Sequence, residues 1–241
     1  MDEIIKKLSD YNARLADVSV TDGIKIVLQD FSGIKKCSTS FGIEDQVLTH
    51  ILYPHAAEVS FFTLDTGRQF NETYEVFQKT QDKYPAIDFK VYYPQEQDVR
   101  NYATTDGING FYNSMESRIK CCHVRKVVPL QTALQGTAIW ITGLRAEQSN
   151  NRETMQFLEW DDANKVIKFN PLLEMTLVEL EQLVAQHNIP INSLYKKGYL
   201  SIGCAPCTRA IAEGEDFRAG RWWWESSKKE CGLHGQANRN N

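Results

Sequence analysis

Six cysteines are spread through the 241 residues, and four of them fall into two pairs. Cys121 and Cys122 are adjacent in the basic run RIKCCHVRK (118–126), and Cys204 and Cys207 stand two residues apart in GCAPCTR (203–209). A Cys-x-x-Cys pair can place both sulfurs on one metal or cluster, or act as a redox dithiol. The adjacent pair admits three readings: a strained vicinal disulfide, two buried thiols, or two ligands of a metal centre. A zinc site prefers two spaced pairs, whereas adjacent ligands suit the larger iron–sulfur cube, whose iron corners are separate from one another. A thioredoxin-style dithiol needs a strand before it and leaves Cys121 and Cys122 unexplained. A four-ligand cluster accounts for all four thiols. Spacing favours it without closing the other readings.

The remaining cysteines differ from each other. Cys37, in KKCSTS (35–40), reads as a small buried hydrophobe. Cys231 lies in SSKKECGLHG (226–235), ten residues from the C-terminus, with Lys228, Lys229 and His234 nearby to stabilise a thiolate. Incidental tail thiols are common, yet an exposed reactive thiol carries an oxidation liability. A nucleophile on a mobile arm is the sharper reading.

The elements that must position these groups follow an α/β rhythm. Segments 35–40, 58–64, 87–93 and 137–144 are short and rich in β-branched and aromatic residues, as buried strands are. Helical patterns occupy 44–52, 71–83, 95–104 and 124–134. The alternation predicts a mostly parallel sheet with helices on both faces, and ligands of such sheets sit at the carboxyl ends of strands. After about Pro171 the rhythm breaks. MTLVELEQLVAQHN (175–188) predicts an amphipathic helix opened by a capping box of Thr176 and Glu179. The expected organisation is one domain over 1–241, with a nucleotide-binding core to about residue 170 and a C-terminal appendage, about 171–241, that completes the site.

Three loops fall at predicted strand ends. STSFGIEDQV (38–47) offers Ser40, Phe41 and Gly42 before a helix N-terminus, where backbone amides can approach an anion. It lacks the lysine of a Walker loop. LDTGRQFNETY (64–74) offers Leu64, Asp65 and Thr66 to a base or ribose, Gly67 for close approach and Arg68 for a phosphate. ITGLRAEQSNNR (141–152) supplies Arg145 and Arg152, whose planar forks suit phosphate and sulfate oxygens. Each loop alone is an ordinary turn; three at successive strand ends favour a nucleotide pocket.

Bulk composition sets limits. With 42% hydrophobic and 24% charged residues and a net charge of −4, the chain reads as globular, and its overall field is wrong for gripping nucleic acid. No signal peptide or membrane-length apolar stretch is visible, so a cytoplasmic location with reduced thiols is expected, which weakens the vicinal disulfide.

With these pieces placed, the chain resembles the assimilatory sulfonucleotide reductases, which act on adenylylsulfate (APS) or phosphoadenylylsulfate (PAPS). The resemblance runs through TSFGIEDQVL, LDTGRQFNETY, CCHVRKVVPL, WITGLRAEQSNNR and CAPCTR to ECGLH. It implies an adenine nucleotide alpha-hydrolase-like fold and a four-iron four-sulfur cluster on Cys121, Cys122, Cys204 and Cys207. It implies that Cys231 attacks the substrate sulfur, releasing AMP and leaving a cysteine S-sulfonate for thioredoxin or a glutaredoxin-like donor to reduce. Lys126 matches the family lysine between cluster and substrate, and Arg218 and Arg221 match arginines on the phosphosulfate. The paired cysteines favour APS, because reductases specific for PAPS generally lack them; PAPS or dual use stays open, as does oligomeric state. A tRNA-thiolating enzyme should show a Ser-Gly-Gly-x-Asp-Ser loop and a basic face, and a metal-stabilised binding module leaves ECGLH without a role.

Overall fold

The computed structural model describes residues 2–148 and 154–225. The order is α1 (Asp2–Ala16), α2 (Val20–Asp30), β1 (Ile34–Thr39), α3 (Ile43–Leu52), β2 (Val59–Leu64), α4 (Asn71–Lys83) and β3 (Phe89–Tyr92). Then follow α5 (Glu96–Thr105), α6 (Met115–Cys122), α7 (Val128–Leu134), β4 (Thr137–Ile141), β5 (Leu158–Asp161), β6 (Val166–Phe169) and α8 (Leu177–His187). The six strands form one sheet in the order β3-β2-β1-β4-β6-β5. β1 is parallel to β2 and β4, β4 is parallel to β6, and the β5–β6 hairpin is antiparallel. Among the described residues no helix is long and apolar enough to cross a membrane.

Strand order reverses between β1 and β4. That is the switch point at which open α/β sheets gather ligands. The sheet is buried along β2 and β4 and, in β1, at Cys37 and Thr39; Cys37, Phe61, Phe62, Ile139, Trp140 and Ile141 are each nearly closed to solvent. Central strands covered on both faces need such continuous apolar runs. Cys37 is therefore core, as expected.

The chain divides into two compact units: Met1–Thr63, Glu75–Lys90 and Leu134–Asn192 form the first, and Leu64–Tyr74, Val91–Ala133 and Ser193–Asn241 the second. This cuts the chain differently from a core to residue 170 with an appendage. α8 belongs to the first unit, and its capping box is present: the Thr176 side chain accepts from the Glu179 amide while the Glu179 carboxylate accepts from the Thr176 amide.

Three elements were not foreseen. α2 is capped by Ser19, whose hydroxyl accepts from the Asp22 amide. α6 starts at Ser114, accepting from the Ser117 amide, so the helix expected at 124–134 is a continuation of it beyond a π turn at His123–Val127. The β5–β6 hairpin turns at DDANK, where the Asp161 carboxylate accepts from the amides of Ala163 and Asn164 and Lys165 takes a φ of 55°.

Candidate functional site

In the second unit, Cys121, Cys122, Cys204 and Cys207 line one pocket together with Arg68, Arg118, Arg125 and Lys126. All four thiols are buried, in an apolar cluster with Tyr102, Phe111 and Trp222. Helical geometry explains the first pair. Cys121 and Arg125 lie four residues apart on one face, and the π turn after Cys122 re-phases the chain so that Arg125 and Lys126 follow the cysteines into the pocket. The second pair is set by a one-turn 3-10 helix at Ala205–Cys207, where the Cys207 amide donates to the Cys204 carbonyl at 2.9 Å. Thr208 Oγ1 donates to the same carbonyl at 3.0 Å, and the Ala205 amide donates to the Arg68 carbonyl at 2.8 Å.

Burial pushes the Cys207 thiol up to about 12; neighbouring Cys204 adds to this, while Lys126 and Arg221 pull it back. Burial likewise raises Cys121, opposed first by Arg125. Thiols held this way stay protonated and inert unless something binds them as thiolates. Thr66 Oγ1 lies 3.3 Å from Cys204 Sγ.

Several residues expected at substrate are built into this unit's framework. Thr66 is buried, and its carbonyl accepts from Arg125 Nη1 at 2.7 Å. Arg68 donates to Asn109 and to the Ile108 carbonyl and lies 5.1 Å over the Phe111 ring. Asp65 accepts from the Gly67 amide at 2.8 Å and from the Tyr74 hydroxyl, whose pKa is pushed up to about 12 by burial and by that carboxylate. Gly67 takes a φ of 70°, a left-handed turn that favours glycine. The Leu64 carbonyl accepts from Gln69. Arg221 is buried over the Trp222 ring and against Gly203, where a Cβ would meet its guanidinium at 2.4 Å; Arg218 is half-buried.

The first unit holds the other loops. Ser40 is exposed just past the end of β1, and both its amide and its hydroxyl donate to Asp45 Oδ2, at 2.6 and 2.7 Å. Phe41 takes a φ of 60°, its amide donating to Thr39 Oγ1 and its ring stacked on Phe77 at 4.5 Å. Gly42 is the N-cap of α3. Arg145 is only 2% exposed, and its guanidinium serves Glu44, Glu147 and the Met175 carbonyl. Cys231, His234 and Arg152 lie outside the described residues.

The chain matches the phosphoadenosine phosphosulfate reductase domain over residues 36–210. It belongs to that family. The adenosine 5′-phosphosulfate reductase of Agrobacterium fabrum is 48% identical over 198 residues, covering 82% of this chain and 76% of that protein. The protein of the same name from Allochromatium vinosum is 47% identical over 198 residues, covering 82% and 77%. Among solved structures, the phosphoadenylyl-sulfate (PAPS) reductase of Candida auris, a phosphate complex, superposes with a TM-score of 0.71 at 21% identity, over 85% of this chain and 96% of that one. Candida glabrata FMN adenylyltransferase, with FAD and pyrophosphate, shares the fold at a TM-score of 0.54 and 14% identity, over 86% and 75%. The fold is the α/β, adenine nucleotide alpha-hydrolase-like one.

Within this phosphosulfate reductase the cysteine pocket has a further property. Arg125 Nε, Arg221 Nε, Trp222 Nε1 and Trp224 Nε1 are buried donors without an acceptor among the described residues. Buried donors are ordinarily paired. Arg125 lines the pocket, Trp222 packs with the cysteines, Trp224 packs against that cluster, and Arg221 acts on Cys207. Four thiols ringed by cations and unpaired donors fit an anionic, sulfur-rich group. Sequence reasoning missed Arg118, Arg125 and Trp222 in this role. The i, i+4 spacing of Cys121 and Arg125 was the available signal.

Proposed function

We propose that the protein reduces adenylylsulfate to sulfite and AMP. The observation that carries this is the single buried pocket of two cysteine pairs with Lys126, in a chain that belongs to the phosphosulfate reductase family. Cys121, Cys122, Cys204 and Cys207 would hold a four-iron four-sulfur cluster, which when bound adds polarisable negative charge beside Lys126. Relatives named for adenosine 5′-phosphosulfate support APS as the substrate.

The chemistry needs cations first. Crowded negative oxygens repel a thiolate from a sulfate sulfur, so Lys126, Arg152, Arg218 and Arg221 would neutralise the phosphosulfate. The Ser40, Phe41 and Gly42 turn would lie against the nucleotide. The Cys231 thiolate, favoured by His234, attacks sulfur; an S–S bond forms, the S–O bond to phosphate breaks, and AMP leaves with the electron pair. Thioredoxin's thiolate then attacks Cys231 Sγ and expels sulfite. Its second thiol resolves the mixed disulfide, so two electrons come from the dithiol and Cys231 returns as thiolate.

APS added without thioredoxin should release one equivalent of AMP and leave one sulfonate mass on Cys231. Cys231→Ser should keep nucleotide binding and form no adduct, because a serine hydroxyl is a far weaker nucleophile near neutral pH. Undiminished turnover in that variant, or an adduct on Cys37 or Cys207, overturns the mechanism. Comparing initial sulfite rates on APS and PAPS tests substrate choice.

A further inference from the structure

The first unit contains an arrangement that the proposed chemistry does not use. Beyond β4, Gly143 packs so closely on the first turn of α3 that an added Cβ would lie 2.4 Å from Asp45 Oδ1 and 3.2 Å from both the Asp45 amide nitrogen and Glu44 Cβ. Two residues on, Arg145 Nη2 donates to Glu44 Oε1 at 3.1 Å, with Nε at 3.3 Å from the same oxygen. The side chains of this pair are 2% and 10% exposed. Glu147 completes the set: its Oε2 takes Arg145 Nη1 at 2.5 Å and the Leu177 amide of α8 at 3.1 Å. Asp45, the next residue after Glu44, holds both donors of Ser40.

The segment after β4 thus holds Glu44 through Arg145 and packs against Asp45 at Gly143, and Asp45 holds the turn that follows β1. That turn needs bracing. Phe41 is held at a φ of 60°, a left-handed conformation that a bulky L residue adopts only when its surroundings impose it. We propose that Arg145, Glu44 and Asp45 are positioning residues, a clamp from β4 onto the first turn of α3 that fixes the Ser40 turn. Arg145 acts through Glu44 and not on the sulfonucleotide. A guanidinium shared between two carboxylates and a carbonyl has little left to offer phosphosulfate oxygens. The clamp rests on reading the Ser40 turn as part of the sulfonucleotide site.

The test is a double-variant cycle on Arg145→Lys and Glu44→Gln, measuring kcat and KM for APS with reduced thioredoxin, and the Kd of AMP by calorimetry. Each single variant should raise KM and Kd about tenfold with kcat within about twofold, the pattern of lost binding geometry. Together they should cost no more than the worse single change, because both act through one contact. A kcat loss of roughly a hundredfold in Arg145→Lys beside a wild-type Glu44→Gln would put the guanidinium on the reacting group and overturn the clamp. Multiplying effects, or unchanged constants in both single variants, would also overturn it. If Arg145→Lys fails to fold, Glu44→Gln alone decides. Wild-type protein that binds AMP but makes no sulfite would remove the APS reading, while the AMP affinity of Glu44→Gln would still report on the clamp.

Discussion

The two compact units differ in how they treat their buried nitrogen donors. In the first, Arg145 is fully engaged by Glu44, Glu147 and a carbonyl, and Ser40's donors are taken by Asp45. In the second, four thiols are buried together and the nearby nitrogens Arg125 Nε, Trp222 Nε1 and Trp224 Nε1 find no acceptor among the described residues. A polar network satisfied by the protein itself fixes a shape; one left short of acceptors is completed by something it binds. The first unit is thus a brace, and the second is a receptacle.

The largest expected effect breaks the receptacle. Cys204→Ser, made and purified without oxygen, should lose most of its iron and acid-labile sulfide, and sulfite formation should fall by roughly a hundredfold or more, beyond what loss of an outer-sphere contact costs. Hydrogen exchange should rise in the second unit and stay close to wild type around Arg145. Full iron retention, or colourless wild-type protein with stoichiometric zinc and full activity, would remove the contrast.

A smaller effect tests whether the second unit has any self-satisfied charge. It has a buried one: Arg118 donates from Nε and Nη2 to the two oxygens of Glu225, at 2.9 and 2.8 Å, and its guanidinium lies 4.5 Å over the Trp222 ring. Both side chains are nearly closed to solvent, 4% and 6% exposed. Arg118→Met should leave the Glu225 carboxylate buried and unpaired, a loss of about 3–5 kcal/mol in denaturant unfolding. Because Arg118 also lines the cysteine pocket, iron content should drop alongside. A loss under about 1 kcal/mol would mark the pair as a surface-like bridge.

How legible this was depended on whether a group's role was local. The parallel sheet could be read because β2 and β4 are short apolar runs that need only their own composition to be recognised, and β1, which carries Lys35 and Lys36, fits the strand–helix alternation. The capping box at Thr176 was equally local. The π turn at His123–Val127 was not: no propensity marks it, and it joins what looked like a loop and a helix into one rod that carries both cysteines and Arg125. The hairpin Leu158–Asp161 and Val166–Phe169 was missed because four-residue strands carry little periodic signal, although DDANK marks its turn. The four cysteines were found by type and spacing. Arg145 shows the limit: an arginine at a strand end looks the same whether it faces an anion or two glutamates supplied from α3 and its own loop.

Asp45 carries the smallest effect and the finest test of the brace. Burial raises its carboxyl to about 6, with the Ser40 bonds working against the shift and Glu44 adding to it. A raised carboxyl means that the native state binds more protons than the unfolded chain between about pH 4 and pH 6. Its contribution to stability is therefore fully present below about pH 4 and is lost as pH rises through about 6. Two pH units correspond to nearly 3 kcal/mol, and because the side chain is part-exposed about 2 kcal/mol is the expected size. Asp45→Asn keeps an amide oxygen to accept from Ser40 and removes the titration. Relative to wild type, that variant should gain about 2 kcal/mol between pH 4 and pH 8 in urea unfolding, where the other carboxylates titrate alike in both proteins and cancel. If the two curves run parallel, the Asp45 charge is not what the fold strains against, and the Ser40 turn is held by Phe41 packing instead. If they diverge as expected, the first unit braces that turn with an ionised carboxylate whose charge costs stability at neutral pH, as groups retained for function often do.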